Sequence, residues 1–167
     1  MGRDRSAGVF RGVLGALCAL VSAVPASAEP APAAPVAEIP HTQPPASEAE
    51  RLLVIHNLER TRLGLPPLTW NPALARDAGA YARVLLARGR LAHSRARDRQ
   101  GQGENLWMGT AGAWDTDGMV GMFLDERRYF RAAAFPDVSL TGNWADVGHY
   151  TQIVWRETRE VGCATDT

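Results

Sequence analysis

The sequence predicts an α+β domain in which helices pack on a small sheet formed late in the chain. Two capped amphipathic segments follow residue 46, and a third apolar-periodic segment covers residues 117 to about 131. Runs rich in β-branched and aromatic residues come last, over Val147–Trp155 and Glu160–Thr165, and read as strands. The chain has 167 residues, which suits one domain.

Residues 1–28 read as a secretory signal peptide. Arg3, Arg5 and Arg11 make a basic start, and "VLGALCALVSAV" is an apolar run too short to span a bilayer comfortably. "ASA" at Ala26–Ala28 is the expected cleavage site, so the expected destination is extracytoplasmic, with no stable transmembrane segment after cleavage. Cleavage removes three of the 18 basic residues and one of the 18 acidic ones, leaving 15 against 17. A mature charge of −2 argues against a nucleic-acid partner. Every basic residue is arginine, which excludes lysine-based chemistry such as a Schiff base. Cleavage would also remove Cys18 and leave Cys163 as a lone, buried free thiol.

Residues 29–46 alternate proline and alanine and read as an extended, poorly ordered linker that contains His41. The folded domain is expected over residues 47–167. Ser47 and Glu50 form a capping box, so a first helix starts there and ends at Gly64 before Pro66 and Pro67. Asn71 caps a second helix with Pro72 at its first position. Leu74, Ala78, Tyr81, Ala82 and Leu85 share one face of it, and Gly89 ends it. Residues 90–107 read as an Arg- and Gly-rich loop, and Asp117 as the cap of a third helix.

That third helix carries an anomaly. Met119, Phe123 and Phe130 lie on one stripe, and Glu126 falls on the same stripe. A bare buried carboxylate costs several kcal/mol, roughly, so Glu126 needs either an arginine partner or a polar cleft. In the loop, Glu104 sits between Gly103 and Asn105, and His93 lies eleven residues before it next to Ser94. A His–Ser pair with no evident aspartate is weak support for a serine nucleophile. His149 follows Gly148 at the start of the expected strand, either as a hydrogen-bonded strand-end residue or as a group pointing into a site.

The combination is specific. "HNLER", "LTWNPALARDAGAYA", "AHS", "GENL", the Glu126 helix, "GHYTQIVWRET" and "VGCA" occur in this order. Together they resemble the CAP superfamily, the cysteine-rich secretory, antigen 5 and pathogenesis-related 1 proteins, also called SCP domains. The resemblance covers residues 47–167 and implies an α-β-α sandwich. It also implies a cleft of two histidines and two acidic residues, which by motif position are His93, Glu104, Glu126 and His149. Two imidazoles can hold Zn²⁺ or another divalent cation, while Glu104 and Glu126 orient them or serve as general bases. With two firm ligands, His93 and His149, binding should be weak. His56, Asn57 and Arg60 of "HNLER" are better read as structural groups.

The chain departs from the family's pattern after "VGCATDT", where members usually continue into another strand. The expectation is a secreted member of bacterial type, shortened at its C-terminus, with its last strand missing and a sheet edge exposed. The resemblance implies a non-enzymatic extracellular binding module, with sterol or lipid as candidate ligands. The alternative is a metal-assisted hydrolase of peptidase type using the same cleft.

Overall fold

The computed structural model describes residues 13–21, as backbone only, together with residues 47–99 and 101–167. The linker and most of the leader lie outside the described residues, and so does His41.

Strand β1 covers Val13–Val21. Helix α1, Glu48–Arg62, begins at the expected capping box: Ser47 Oγ accepts from the Glu50 N–H at 3.2 Å, and Glu50 Oε2 accepts from the Ser47 N–H at 2.9 Å. Strand β2, Thr69–Trp70, leads into helix α2, Pro72–Arg88. Asn71 Oδ1 caps α2 at the Ala73 N–H, and Gly89 closes it in the left-handed conformation, φ 62°. Strand β3 is Gln102–Thr110, helix α3 Thr116–Asp125, helix α4 Gly148–Ile153 and strand β4 Glu160–Asp166.

The sheet runs β2-β4-β1-β3. β1 pairs antiparallel with both β3 and β4, and β2 pairs parallel with β4. Alternation along the strands divides the core in two. Trp107, Val161 and Cys163 join Leu52, Met119, Phe123 and Ile153 from α1, α3 and α4. Leu106, Met108 and Ala164 face Ala78, Tyr81 and Leu85 of α2. Helices therefore cover both faces, and the architecture is the α-β-α sandwich. Residues 104–107 of β3 are all buried, as expected of a strand packed on both sides.

Two residues hold the layers in register. Arg60 is fully buried, and its guanidinium donates to four backbone carbonyls: Pro66 at 2.7 Å, Ile153 at 2.9 Å, Trp155 at 2.8 Å and Thr158 at 3.1 Å. It ties α1 to the loop that connects α4 with β4. Gly162 lies where β4 meets the start of α2. A Cβ there would stand 2.3 Å from the Ala75 nitrogen and 2.6 Å from the Asn71 oxygen, so only glycine fits.

Several expectations are corrected. Val147–Trp155 is not a strand: Trp144–Val147 is a 3-10 turn and Gly148–Ile153 is helical. The β-forming composition hid a helical spacing, in which Val147, Tyr150 and Thr151 fall at i, i+3 and i+4 and are all buried. The second part of the expected loop, from Gln102 on, belongs to β3, whose glycines and polar residues masked a strand buried on both faces. Helix α3 is capped by Asp115 rather than Asp117 and tightens into a 3-10 turn at Glu126–Tyr129.

The last strand, β4, is not the expected exposed edge: it lies between β2 and β1, the latter drawn from the apolar run read as the leader core. Cys163 is not a free thiol; it is disulfide-bonded, and its register partner on β1 is Cys18.

Candidate functional site

The four sequence-predicted site residues form two His–carboxylate pairs. His93 Nδ1 lies 2.6 Å from Glu104 Oε1, and His149 Nδ1 lies 2.6 Å from Glu126 Oε1. An ionised carboxylate can only accept, so each Nδ1 carries its proton and donates. In the neutral ring this fixes the tautomer and leaves the Nε2 lone pair available.

Three elements build the first pair. Tyr81 of α2 donates to the Ala92 carbonyl at 2.7 Å and pins the segment just before His93. Glu104, on β3, is almost fully buried and accepts four hydrogen bonds. Oε1 takes His93 Nδ1, the Ser94 N–H at 3.0 Å and Arg99 Nη1 at 3.1 Å, while Oε2 takes the Ser94 hydroxyl at 2.8 Å. Ser94 is thus a holder of Glu104. The His93 side chain is 59% exposed, so its outer edge meets solvent.

The second pair joins the 3-10 turn after α3 to α4. Glu126 ends the apolar stripe of Met119 and Phe123, and the neighbouring Asp125 is exposed. Besides His149, Glu126 accepts the Tyr150 N–H at 3.0 Å, one of the donors that a helix start leaves unpaired. The His149 ring stacks on Phe123 with centroids 4.5 Å apart and planes 13° apart. Asn105, next to Glu104, donates to the His149 carbonyl at 3.0 Å and so connects the two pairs.

Neither carboxylate stands free. Both are committed to orienting a histidine, the arrangement that accompanies imidazole metal ligands. Among the described residues, no group of three or more His, Cys, Asp or Glu side chains is placed to hold a metal ion. Each ring keeps one nitrogen, Nε2, that these bonds do not use.

A cavity of about 740 Å³ adjoins the first pair. Its lining includes Tyr81, Val84 and Arg88 of α2, Arg95 and Arg99 of the following segment, and both His93 and Glu104, but neither His149 nor Glu126.

The other residues of "HNLER" pack as structural groups. Asn57 exchanges two hydrogen bonds with the Leu68 backbone, and His56 Nδ1 donates to the Leu52 carbonyl at 2.7 Å. Burial pushes the His56 pKa down. Beside the second pair is a group that the sequence reading missed. Glu59 of α1, Tyr150 and Arg127 meet there, and Arg62 holds the Glu59 carboxyl below its ordinary range. Only the position of Glu59 beside buried Arg60 could have signalled it.

A three-layer α-β-α domain with two carboxylate-oriented histidines defines the class. The chain belongs to the cysteine-rich secretory protein family, whose model matches residues 53–167. It is 33% identical over 126 residues to pathogenesis-related protein 1B of Nicotiana tabacum, covering 75% of this chain and 70% of that protein. It is 36% identical over 114 residues to pathogenesis-related protein 1 of Arabidopsis thaliana, covering 67% and 63% respectively. It is 32% identical over 117 residues to secreted protein RBT4 of Candida albicans, covering 70% of this chain but 29% of that protein. Among the described residues, no helix is long and apolar enough to cross a membrane.

Proposed function

We propose that this protein is a secreted extracellular binding module whose cleft holds a divalent cation, such as Zn²⁺, weakly through Nε2 of His93 and His149. The observation that carries this reading is the pair of 2.6 Å Nδ1–carboxylate hydrogen bonds, which make Nδ1 the donor and, in the neutral ring, leave Nε2 as the nitrogen with the lone pair. A bound cation would supply Lewis acidity and open coordination positions; the chain's own residues would orient the two imidazoles. Export is supported by the leader features of residues 1–28 and by the relative named as a secreted protein.

The hydrogen bonding of Glu104 weighs against its use as the base in the hydrolase alternative. A general base needs a carboxylate oxygen free to take a proton from water. Glu104 already accepts four hydrogen bonds, as many as a carboxylate has lone-pair positions, whereas each Glu126 oxygen accepts one, from His149 and from Tyr150, and keeps a second position. For an organic ligand of sterol or lipid type, the cavity beside His93 offers Tyr81 and Val84 next to three arginines and three carboxylates, with Arg95 paired to Asp98 and Arg99 to Glu104.

Calorimetric titration with Zn²⁺ tests the cation reading. Binding is expected in the wild type and lost in both His93→Ala and His149→Ala. Retention in either variant would place the cation elsewhere.

A further inference from the structure

The histidine of the second pair sits on a helix of only six residues, and its carboxylate sits in a 3-10 turn of four. Neither piece is long enough to hold its own geometry. Something outside them must fix the distance between His149 and Glu126.

One buried side chain touches the chain neighbours of both. Glu59, in α1, is 5% exposed. Its Oε1 accepts the Tyr150 hydroxyl at 2.5 Å, and Tyr150 directly follows His149. Its Oε2 accepts Arg127 Nη1 at 3.1 Å, and Arg127 directly follows Glu126. The Tyr150 N–H then bonds Glu126 Oε2 at 3.0 Å and closes a ring of contacts. Arg62 steadies the carboxylate from its own helix, at 2.7 Å to Oε1 and 2.9 Å to Oε2. Phe130 packs edge-on against the Tyr150 ring, centroids 5.1 Å apart.

We propose that Glu59 is a positioning residue for the cleft, holding His149 and Glu126 in register through Tyr150 and Arg127. This rests on the reading of His149 as a cation ligand. It adds that the α1 carboxylate sets the geometry of one half of the cleft, while the His93–Glu104 half is held by Ser94 and Arg99, which Glu59 does not contact. The electrostatics agree with the geometry. Arg62 holds the Glu59 carboxyl below its ordinary range, so it accepts from both Tyr150 and Arg127.

The test separates positioning from mere packing. The Nδ1–H of a carboxylate-bonded imidazole is read by NMR without any metal, and His93 serves as the internal control. In Glu59→Gln and Tyr150→Phe, the His149 Nδ1–H resonance is expected to shift or broaden while that of His93 stays in place. Zn²⁺ affinity should fall about tenfold in both variants. Arg127→Gln, at a half-exposed side chain, keeps the fold intact if the buried changes do not and should show the same pattern at smaller amplitude. If the His149 resonance and the affinity stay at wild-type values while only the melting temperature falls, Glu59 is a packing residue and the proposal fails. Equal movement of both histidine signals would also overturn it. If the wild type binds no Zn²⁺ yet the His149 signal alone moves, the positioning role stands and the cation reading falls.

Discussion

The Asn105 side-chain amide donates to the backbone carbonyl of His149 at 3.0 Å. Asn105 is buried on β3, next to Glu104, and His149 lies on α4, next to Tyr150. The bond therefore couples the two His–carboxylate pairs through the sheet and not through their exposed faces. Asn105→Ala removes it and leaves a partly buried carbonyl with one partner fewer. The expected loss of stability is about 1–3 kcal/mol, measured by urea unfolding. Zn²⁺ affinity should fall with it, because the spacing of the two rings depends on this stitch.

The carboxylates should behave as orienters. Glu104→Gln turns one acceptor oxygen into an amide donor among four donors, so His93 loses its fixed tautomer. Glu126→Gln does the same to His149 and weakens the hold on the Tyr150 N–H. Each should lower Zn²⁺ affinity about 10- to 100-fold without abolishing binding, as read by calorimetry. Both should also destabilise the fold, because neither carboxylate is a bare buried charge awaiting removal. A variant with unchanged affinity would show that the tautomer is held by something else.

The site was more legible than the elements that carry it. Glu126 stood out because a carboxylate on the stripe of Met119 and Phe123 demands a partner, and the structure gives it His149. Motif order singled out His93 and Glu104, and the capping signals at Ser47 and Asn71 marked two helix starts correctly. What failed was the period of short segments. Six residues of α4 hold less than two turns, so their β-branched and aromatic composition outweighed their spacing. Glu104 and Asn105 hid a strand because polar residues buried on both faces break the alternation that identifies one. The Glu59 network was invisible for a different reason. Its members are 68 and 91 residues apart, and nothing local links them.

Arg60 should be the least replaceable residue of α1. Its five N–H groups serve four carbonyls of two loops, inside the protein. Arg60→Lys keeps a charge but not the planar fork, and the ammonium cannot reach all four acceptors. A loss of about 3–5 kcal/mol is expected for Arg60→Ala and only partial recovery for Arg60→Lys, measured by chemical denaturation. Full stability in the lysine variant would show that the fork geometry is unimportant.

His56 sets an acid limit. Burial lowers its pKa below the ordinary value of 6.5, so the unfolded chain binds a proton more readily than the folded one. Its contribution is therefore fully present above pH 6.5 and is lost as pH falls below that value through the folded pKa. Glu59, also lowered, adds a second loss below its ordinary 4.5. His56→Gln should flatten the stability profile between those two values while leaving the fall below the lower one. Melting temperatures across the range would show it; an unchanged slope would assign the acid sensitivity to other groups.

The strand Val13–Val21 joins the two halves of the sheet. It faces nine residues of β3 on one side and seven of β4 on the other, and Cys163 on β4 is disulfide-bonded. The same segment is the apolar run that reads as a leader core, with an expected cut after Ala28. A chain lacking residues 1–28 would leave β3 and β4 without their shared partner and expose two strand edges. Such a chain is expected to melt lower than the full chain and to self-associate, because unpaired edges template pairing with a second copy. Melting curves and light scattering on the two forms, with thiol labelling of Cys163 in each, check this. In the full chain Cys163 should resist labelling unless a reductant is added. In the shortened chain it should label without one. Equal melting temperatures, a monomeric shortened chain and no labelling in either form would mean that β1 is dispensable to the sheet.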